Sequence, residues 1–539
     1  MAGFNRRQAL LALGGATMGS AFGAHDAEAQ LFSPNYRVLV PEIFQGLSAP
    51  PSYTPNLVIG SGFGGAITAL RLAQAGQSVT VVERGYRWPS HPWRAIFAND
   101  TLPDGRAFWF RRNARMIAGN TTRFDLLGGV IDATEYPTMT AWRAACVGGG
   151  SVVFTGVMIQ PRQAYFDALL GSVVPYAELD RVYYPRVRQM LRLSPMPRDV
   201  YAGQAFGHSR EWDRQVMAAG YAPVPTDSIF NWDVVRAETR LLGRPSATVG
   251  ASNHGNSNGA KFDLNQNYLR YAEASGRARI FPGFEILSIG QEGGRYVAHG
   301  LLRSPDGRQI ATQTIACDRL FLAGGSIGTS HLLVKARATR TLPNLNEHVG
   351  AGWGTNGDVL VVRSLGRITG LTEGTPSASM IHEARTGLPV TLENWYVPGI
   401  PLNLSIIPSL GMVFDQSNRG SFAYDPQNGS VTLKWAPNGN ADALAACREV
   451  NNRIAAASNT IPGAVPFIGD VSGMNWTAHP LGGAVLGKAT DGYGRVVGHP
   501  GLYVMDGALL PGSAGAVNPS LTISALAERN IENIVARAG

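Results

Sequence analysis

Short apolar runs, glycine-rich turns and stretches of helical period alternate along this 539-residue chain. Leu57, Val58 and Ile59 make an apolar strand, residues 66–75 carry a helical pattern that Gly76 stops, and residues 78–82 read as a second strand. Residues 317–334 predict a strand, a glycine-rich turn at Gly324 and a helix. Residues 499–539 predict a strand ending in Asp506 and Gly507, a glycine-rich connection, and a last helix with Asn518 as N-cap and Pro519 in its first turn. Residues 428–435 read as a hairpin-type strand, and "SPMPRD", "YAPVPTDS" and "NHGNSNG" as loops. This alternation implies an α/β (α+β) chain.

With 45% hydrophobic and 16% charged residues the chain is globular, and its length implies two structural domains. The net charge of +8 is spread without a Lys/Arg run, so no nucleic-acid partner is expected. Arg6 and Arg7, a mildly apolar stretch and Ala27-Glu28-Ala29 read as a twin-arginine signal peptide over residues 1–29. That implies export to the periplasm or beyond, often with a cofactor already bound. The apolar stretch is short and glycine-rich for a bilayer span, and no second run follows, so no stable membrane anchor is expected. Cys146, Cys317 and Cys447 match no metal or redox spacing and read as buried free thiols.

Gly60, Gly62 and Gly65 have G-x-G-x-x-G spacing between strand and helix, with Phe63 and Gly64 inside it. Such glycines permit the tight turn, the approach of a pyrophosphate and close helix packing, and the helix N-terminus supplies donors to the phosphates. Glu83 ends the second strand, where an acid accepts hydrogen bonds from ribose hydroxyls, and Arg84 follows it. The later segments at Gly324 and Asp506-Gly507 favour FAD over a nicotinamide cofactor. His479, in "WTAHPLGGAV", has small and apolar neighbours; from these residues alone it is a core histidine or an acid–base catalyst, and no second ligand supports a metal site.

Together "VIGSGFGGAITALRLAQAG", "VGGGSVVFTGVM", "LPNLNEHVGAGWGTNGDV", "HPLGGAVLGKATDGYGRV" and the segment from Gly501 to Asn530 resemble the glucose–methanol–choline (GMC) oxidoreductases, among them bacterial cholesterol oxidases with non-covalent FAD. The resemblance implies a Rossmann-like FAD domain assembled from residues 50–160, 266–335 and 471–539. A substrate domain with an antiparallel sheet and helices would take 161–265 and 336–470. It also implies FAD contacts at Gly60, Gly62, Gly65 and Glu83, at Gly148, Gly149, Gly150 and Ser151, at Ile286, and at Asp506, Gly507, Asn518 and Pro519. His479 falls on the catalytic histidine, with Asn518 as its partner. The implied reaction is oxidation of a bulky apolar, sterol-like or alicyclic, secondary alcohol by hydride transfer to flavin N5, with O2 or another acceptor taking the electrons. A monomer is favoured.

Three positions depart from that pattern. Ser405 stands where the cholesterol oxidases carry the glutamate of steroid isomerisation, Phe154 replaces an asparagine, and Asn403 an aromatic residue. A serine hydroxyl does not do a carboxylate's work, so alcohol oxidation without isomerisation is expected. Glu393 aligns with an acid outside the site, and Asp358 has no assigned role. Three alternatives stay open: a dehydrogenase with a non-oxygen acceptor, a lyase or hydrolase reaction on the same flavin scaffold, and a non-catalytic flavin-binding protein.

Overall fold

Leu57, Val58 and Val81 are buried on both sides of a parallel sheet, which is why their strands read as unbroken apolar runs rather than alternating ones. The computed structural model describes residues 34–99, 103–115, 121–365, 373–375, 378–385, 387–396, 406–463 and 475–538. The twin-arginine segment 1–29, Asn403 and Ser405 lie outside the described residues.

In the seven-stranded sheet, Ala278–Pro282, Val79–Glu83, Tyr53–Ile59 and Gln309–Leu322 run parallel in that spatial order. The last of these is long enough to serve two partners. Its C-terminal half pairs in parallel with Leu502–Val504, and its N-terminal half pairs antiparallel with Arg295–Arg303, which carries Phe284–Glu292 at the edge. The helix Phe63–Gln74 packs on the C-terminal helix Ser520–Ala538. A two-pronged Arg71–Glu528 ion pair, both contacts at 2.7 Å, ties the two helices together, with Glu528 wholly buried.

The six-stranded sheet is antiparallel: Ile461–Pro462, Val359–Ser364, Ile406–Val413, Val390–Asn394, Ser379–Glu383 and Val224–Pro225. Val359, Val361, Leu392 and Ile407 cluster with Trp212, Val450 and Ile454 of the helices Gly207–Ala218 and Ala441–Ser458. Side chains alternate along a strand, so Leu360, Leu410 and Glu393, which stand in register across three strands, belong to the opposite face. The expected hairpin strand is Ser430–Lys434, paired with Gly420–Asp425. All three cysteines are buried free thiols, and no described helix is long and apolar enough to cross a membrane.

Candidate active site

The first strand hands over to its helix through a turn that side chains would block. Gly60 has φ +100°, and a Cβ on it would lie 2.2 Å from the Ala323 carbonyl oxygen; one on Gly65 would lie 2.0 Å from the Gly60 oxygen. At Gly62 a Cβ meets nothing closer than the Gly149 Cα at 3.9 Å, so packing within the protein does not require a glycine there. Gly62 is the helix N-cap and brings no side-chain cap, so the first-turn amides of Phe63–Gln74 have no capping side chain to satisfy them. Glu83 organises this turn from the neighbouring strand: Oε2 accepts from the Ser61 N–H and hydroxyl, and Oε1 from the Gly85 N–H. The Ser61 oxygen in turn accepts from the Gly148 N–H at 3.1 Å, joining the second glycine loop to the first.

That second loop passes Gly148 and Gly149, both at positive φ, into a short turn of helix at Gly150–Val153. The Ser151 hydroxyl bonds the Gly148 carbonyl and accepts from the Leu264 N–H. Lys261, almost wholly buried, donates to the carbonyls of Val152, Phe154 and Ser252, and its ammonium lies 5.6 Å from the Phe154 ring centre. Phe154 also meets Phe63 edge to face, at 5.7 Å between centroids, so it packs over the start of the dinucleotide helix.

The C-terminal segments close on the same place. Asp506 accepts from the Gly325 N–H, the Thr329 hydroxyl and the Ala508 N–H, joining the helix that Gly324 caps to the end of the last strand; burial pushes its carboxyl up to about 6 against these bonds. The Gly507 carbonyl accepts from the Gly482 N–H at 2.9 Å. Gly482 and Gly483 have φ +90° and +105°, and a Cβ on either would strike the Gly352 oxygen at 2.1 Å or the Ser330 Oγ at 1.8 Å. The backbone after His479 is therefore wedged between two elements that only glycines let approach.

His479 Nδ1 lies 2.7 Å from Asp358 Oδ1, and Asp358 Oδ2 accepts from the Thr477 hydroxyl and the N–H groups of Ala478 and His479. Asp358 is buried, whereas the His479 side chain keeps 15% of its surface exposed. Burial pushes the imidazole pKa down, but the charge and hydrogen bond of Asp358, with the Glu393 carboxylate beyond it, outweigh burial and leave the ring more basic than usual. Two residues earlier, Asn356 takes the left-handed conformation (φ +59°). Its side-chain amide donates to the Val517 carbonyl at 2.9 Å and accepts from the Ala514 N–H at 2.8 Å. One stretch of chain thus holds His479 by one residue and the approach to Asn518 by another.

Several expectations need correction. The His479 ring bonds Asp358, a residue with no expected role, and the C-terminal helix begins at Ser520 without an Asn518 cap: the buried Asn518 Oδ1 has no donor. The Arg84 guanidinium bonds Asp132 and the Ala144 carbonyl and covers the Trp109 ring. Gly64 serves packing, since a Cβ there would meet the Met505 oxygen at 1.5 Å. Glu393, read as lying outside the site, is a buried acid whose charge reaches His479. Ile286 stands in the edge strand opposite Gly300, just beyond the strand whose Pro282 pairs with Glu83. Pro519 precedes the last helix and accepts the Ile523 N–H.

A family model described as GMC oxidoreductase matches residues 426–527, and one described as FAD binding domain matches residues 56–95. Both matches are to models of FAD-binding oxidoreductases, and the chain is similar to oxidases of GMC type along most of its length. It is 27% identical over 554 residues to a cholesterol oxidase of Mycobacterium tuberculosis (strain ATCC 25618 / H37Rv), covering 88% of this chain and 89% of that one. A cholesterol oxidase of Acinetobacter baumannii is 24% identical, covering 89% and 94%. The crystal structure of pyridoxine 4-oxidase from Mesorbium loti superposes with a TM-score of 0.60 at 15% identity, covering 89% of this chain and 99% of that one.

Proposed function

We propose that this protein oxidises a bulky, largely apolar secondary alcohol to a ketone, with His479 as the base at the hydroxyl, and that it is exported by the twin-arginine route as a soluble enzyme. The observation that carries this reading is the imidazole whose Nδ1 edge is held by Asp358 while Nε2 makes no hydrogen bond among the described residues. Such a ring offers one lone pair to a hydroxyl proton.

The residues fit the coenzyme. Gly62 leaves space that packing does not use, the helix behind it has no side-chain cap, and the buried Asn518 oxygen lacks a donor. Gly60, Gly62, Gly65 and Glu83 would hold the nucleotide end, Gly148 to Ser151 and Asp506 to Gly507 the middle, and Asn518 with Pro519 the ring end, all without a covalent bond. Bound FAD supplies the acceptor for the hydrogen and electron pair that leave the carbinol carbon. Phe154 adds apolar surface at the loop beside Phe63.

Oxidation without steroid isomerisation is the reading that Ser405 favours. Ser405 brings no carboxylate where the cholesterol oxidases carry theirs, and Asp358 is engaged by Thr477, two backbone N–H groups and the imidazole, which leaves Glu393 as the one nearby described acid that isomerisation could use. Anaerobic mixing of the FAD-loaded enzyme with cyclic secondary alcohols tests the reading: bleaching of the yellow colour is expected. Fast recolouring on admitting air identifies an oxidase, and slow recolouring a dehydrogenase. Steady conversion of cholesterol to the conjugated enone would contradict the absence of isomerisation.

A further inference from the structure

We propose that Asp358 is a positioning residue for His479: its carboxylate fixes the ring as the Nδ1–H tautomer, turns Nε2 to the substrate, and balances the charge that arrives with the proton. The inference rests on the alcohol-oxidation reading for its chemical consequence but not for its geometry. The Asp358 oxygens accept from the Thr477 hydroxyl and two backbone N–H groups, and the fourth neighbour within hydrogen-bond distance is the imidazole Nδ1. A carboxylate in such a ring only accepts, so Nδ1 must carry the hydrogen, and in the neutral imidazole Nε2 is then the lone pair. In the reaction the O–H bond breaks and an N–H bond forms at Nε2, while the O–H electron pair stays on oxygen. The imidazolium so formed lies 2.7 Å from a buried carboxylate.

Among the described residues, Glu393 is the other acid whose charge reaches His479. Glu393 pairs in register with Leu410, which pairs with Leu360, so its carboxylate stands on the face of the six-stranded sheet opposite the Trp212 cluster. Among the described residues, the charged groups that act on the ring are Asp358 and Glu393. Cys447, on the far side of the sheet, lies in the field of Asp358 and is pushed up by burial first and by that charge second, so it stays a neutral thiol. Both acids favour the charged ring. The neutral ring is the active base, so turnover falls as pH drops through the raised His479 pKa.

The test is Asp358→Asn in the FAD-loaded enzyme, read by pH profile and by 15N resonances of His479. In the wild type, Nδ1 carries the hydrogen. In the variant, kcat falls on the order of a hundredfold with little change in KM, and the acid limb of kcat moves to lower pH by about one unit. Asp358→Glu, which keeps the charge, holds the acid limb near its original place. An unmoved acid limb in a variant that still binds FAD would overturn the proposal. So would a wild-type spectrum with the hydrogen on Nε2 and a bare Nδ1, whether or not the variants fold. Because the 15N measurement needs no turnover, failure of every alcohol to bleach the flavin would count against the functional reading alone.

Discussion

Gly64 and Met505 touch so closely that a Cβ on the glycine would lie 1.5 Å from the methionine carbonyl oxygen. Residues 441 positions apart in sequence therefore share one contact, which sets the dinucleotide helix against the strand that leads into Asp506. The glycine run after the first strand is two devices superposed: Gly62 leaves room for a ligand, while Gly60, Gly64 and Gly65 let backbones meet.

Gly64→Ala is accordingly a packing lesion. Overpacking of this kind costs about 3 kcal/mol or more, and the neighbouring atoms are backbone, which yields poorly. Thermal unfolding should show a large loss of stability with or without FAD. Gly62→Ala, by contrast, should leave the FAD-free protein's melting temperature nearly unchanged while weakening FAD binding, measured by fluorescence titration.

Asn356→Ala separates the two halves of the site. It removes two buried hydrogen bonds, at about 1 kcal/mol each, and puts alanine in a left-handed conformation that asparagine tolerates better. A moderate loss of stability is expected, together with a fall in kcat larger than that loss explains, because the backbone leading to Asn518 is released. Activity at constant FAD occupancy checks this.

Much of this was legible in the sequence because it is local. The strand, glycines, helix and acid of residues 57–83 lie within one supersecondary unit, and the Asp506-Gly507 turn ends a readable strand. The His479–Asp358 contact was not legible: the two are 121 residues apart, and nothing in "TNGDV" distinguishes a ligand-holding acid from a turn aspartate. Glu393 was misplaced for a related reason, since which face of a sheet an acid occupies depends on register with strands far off in sequence. Asn518 and Pro519 have the composition of a helix start, yet the helix begins one residue later and the asparagine oxygen stays unpaired, the pattern expected where a ligand rather than the backbone supplies the donor.

Asp506 gives a pH signature in stability. Burial raises its carboxyl from 3.8 to about 6, so the folded state holds the proton more tightly than the unfolded chain. Its contribution to stability is complete below the unfolded value and is lost as pH rises through about 6, on the order of 3 kcal/mol at most. Asp506→Asn should flatten this part of the stability profile, as followed by denaturant unfolding of the FAD-free protein at a series of pH values.

The most direct measurement is the anaerobic rate of flavin bleaching by a reactive secondary alcohol in the wild type and in His479→Gln, both fully loaded with FAD. Rapid bleaching is expected in the wild type, and a rate lower on the order of a hundredfold or more in the variant. Equal rates in the two proteins, or no bleaching by any alcohol in the wild type, would contradict it.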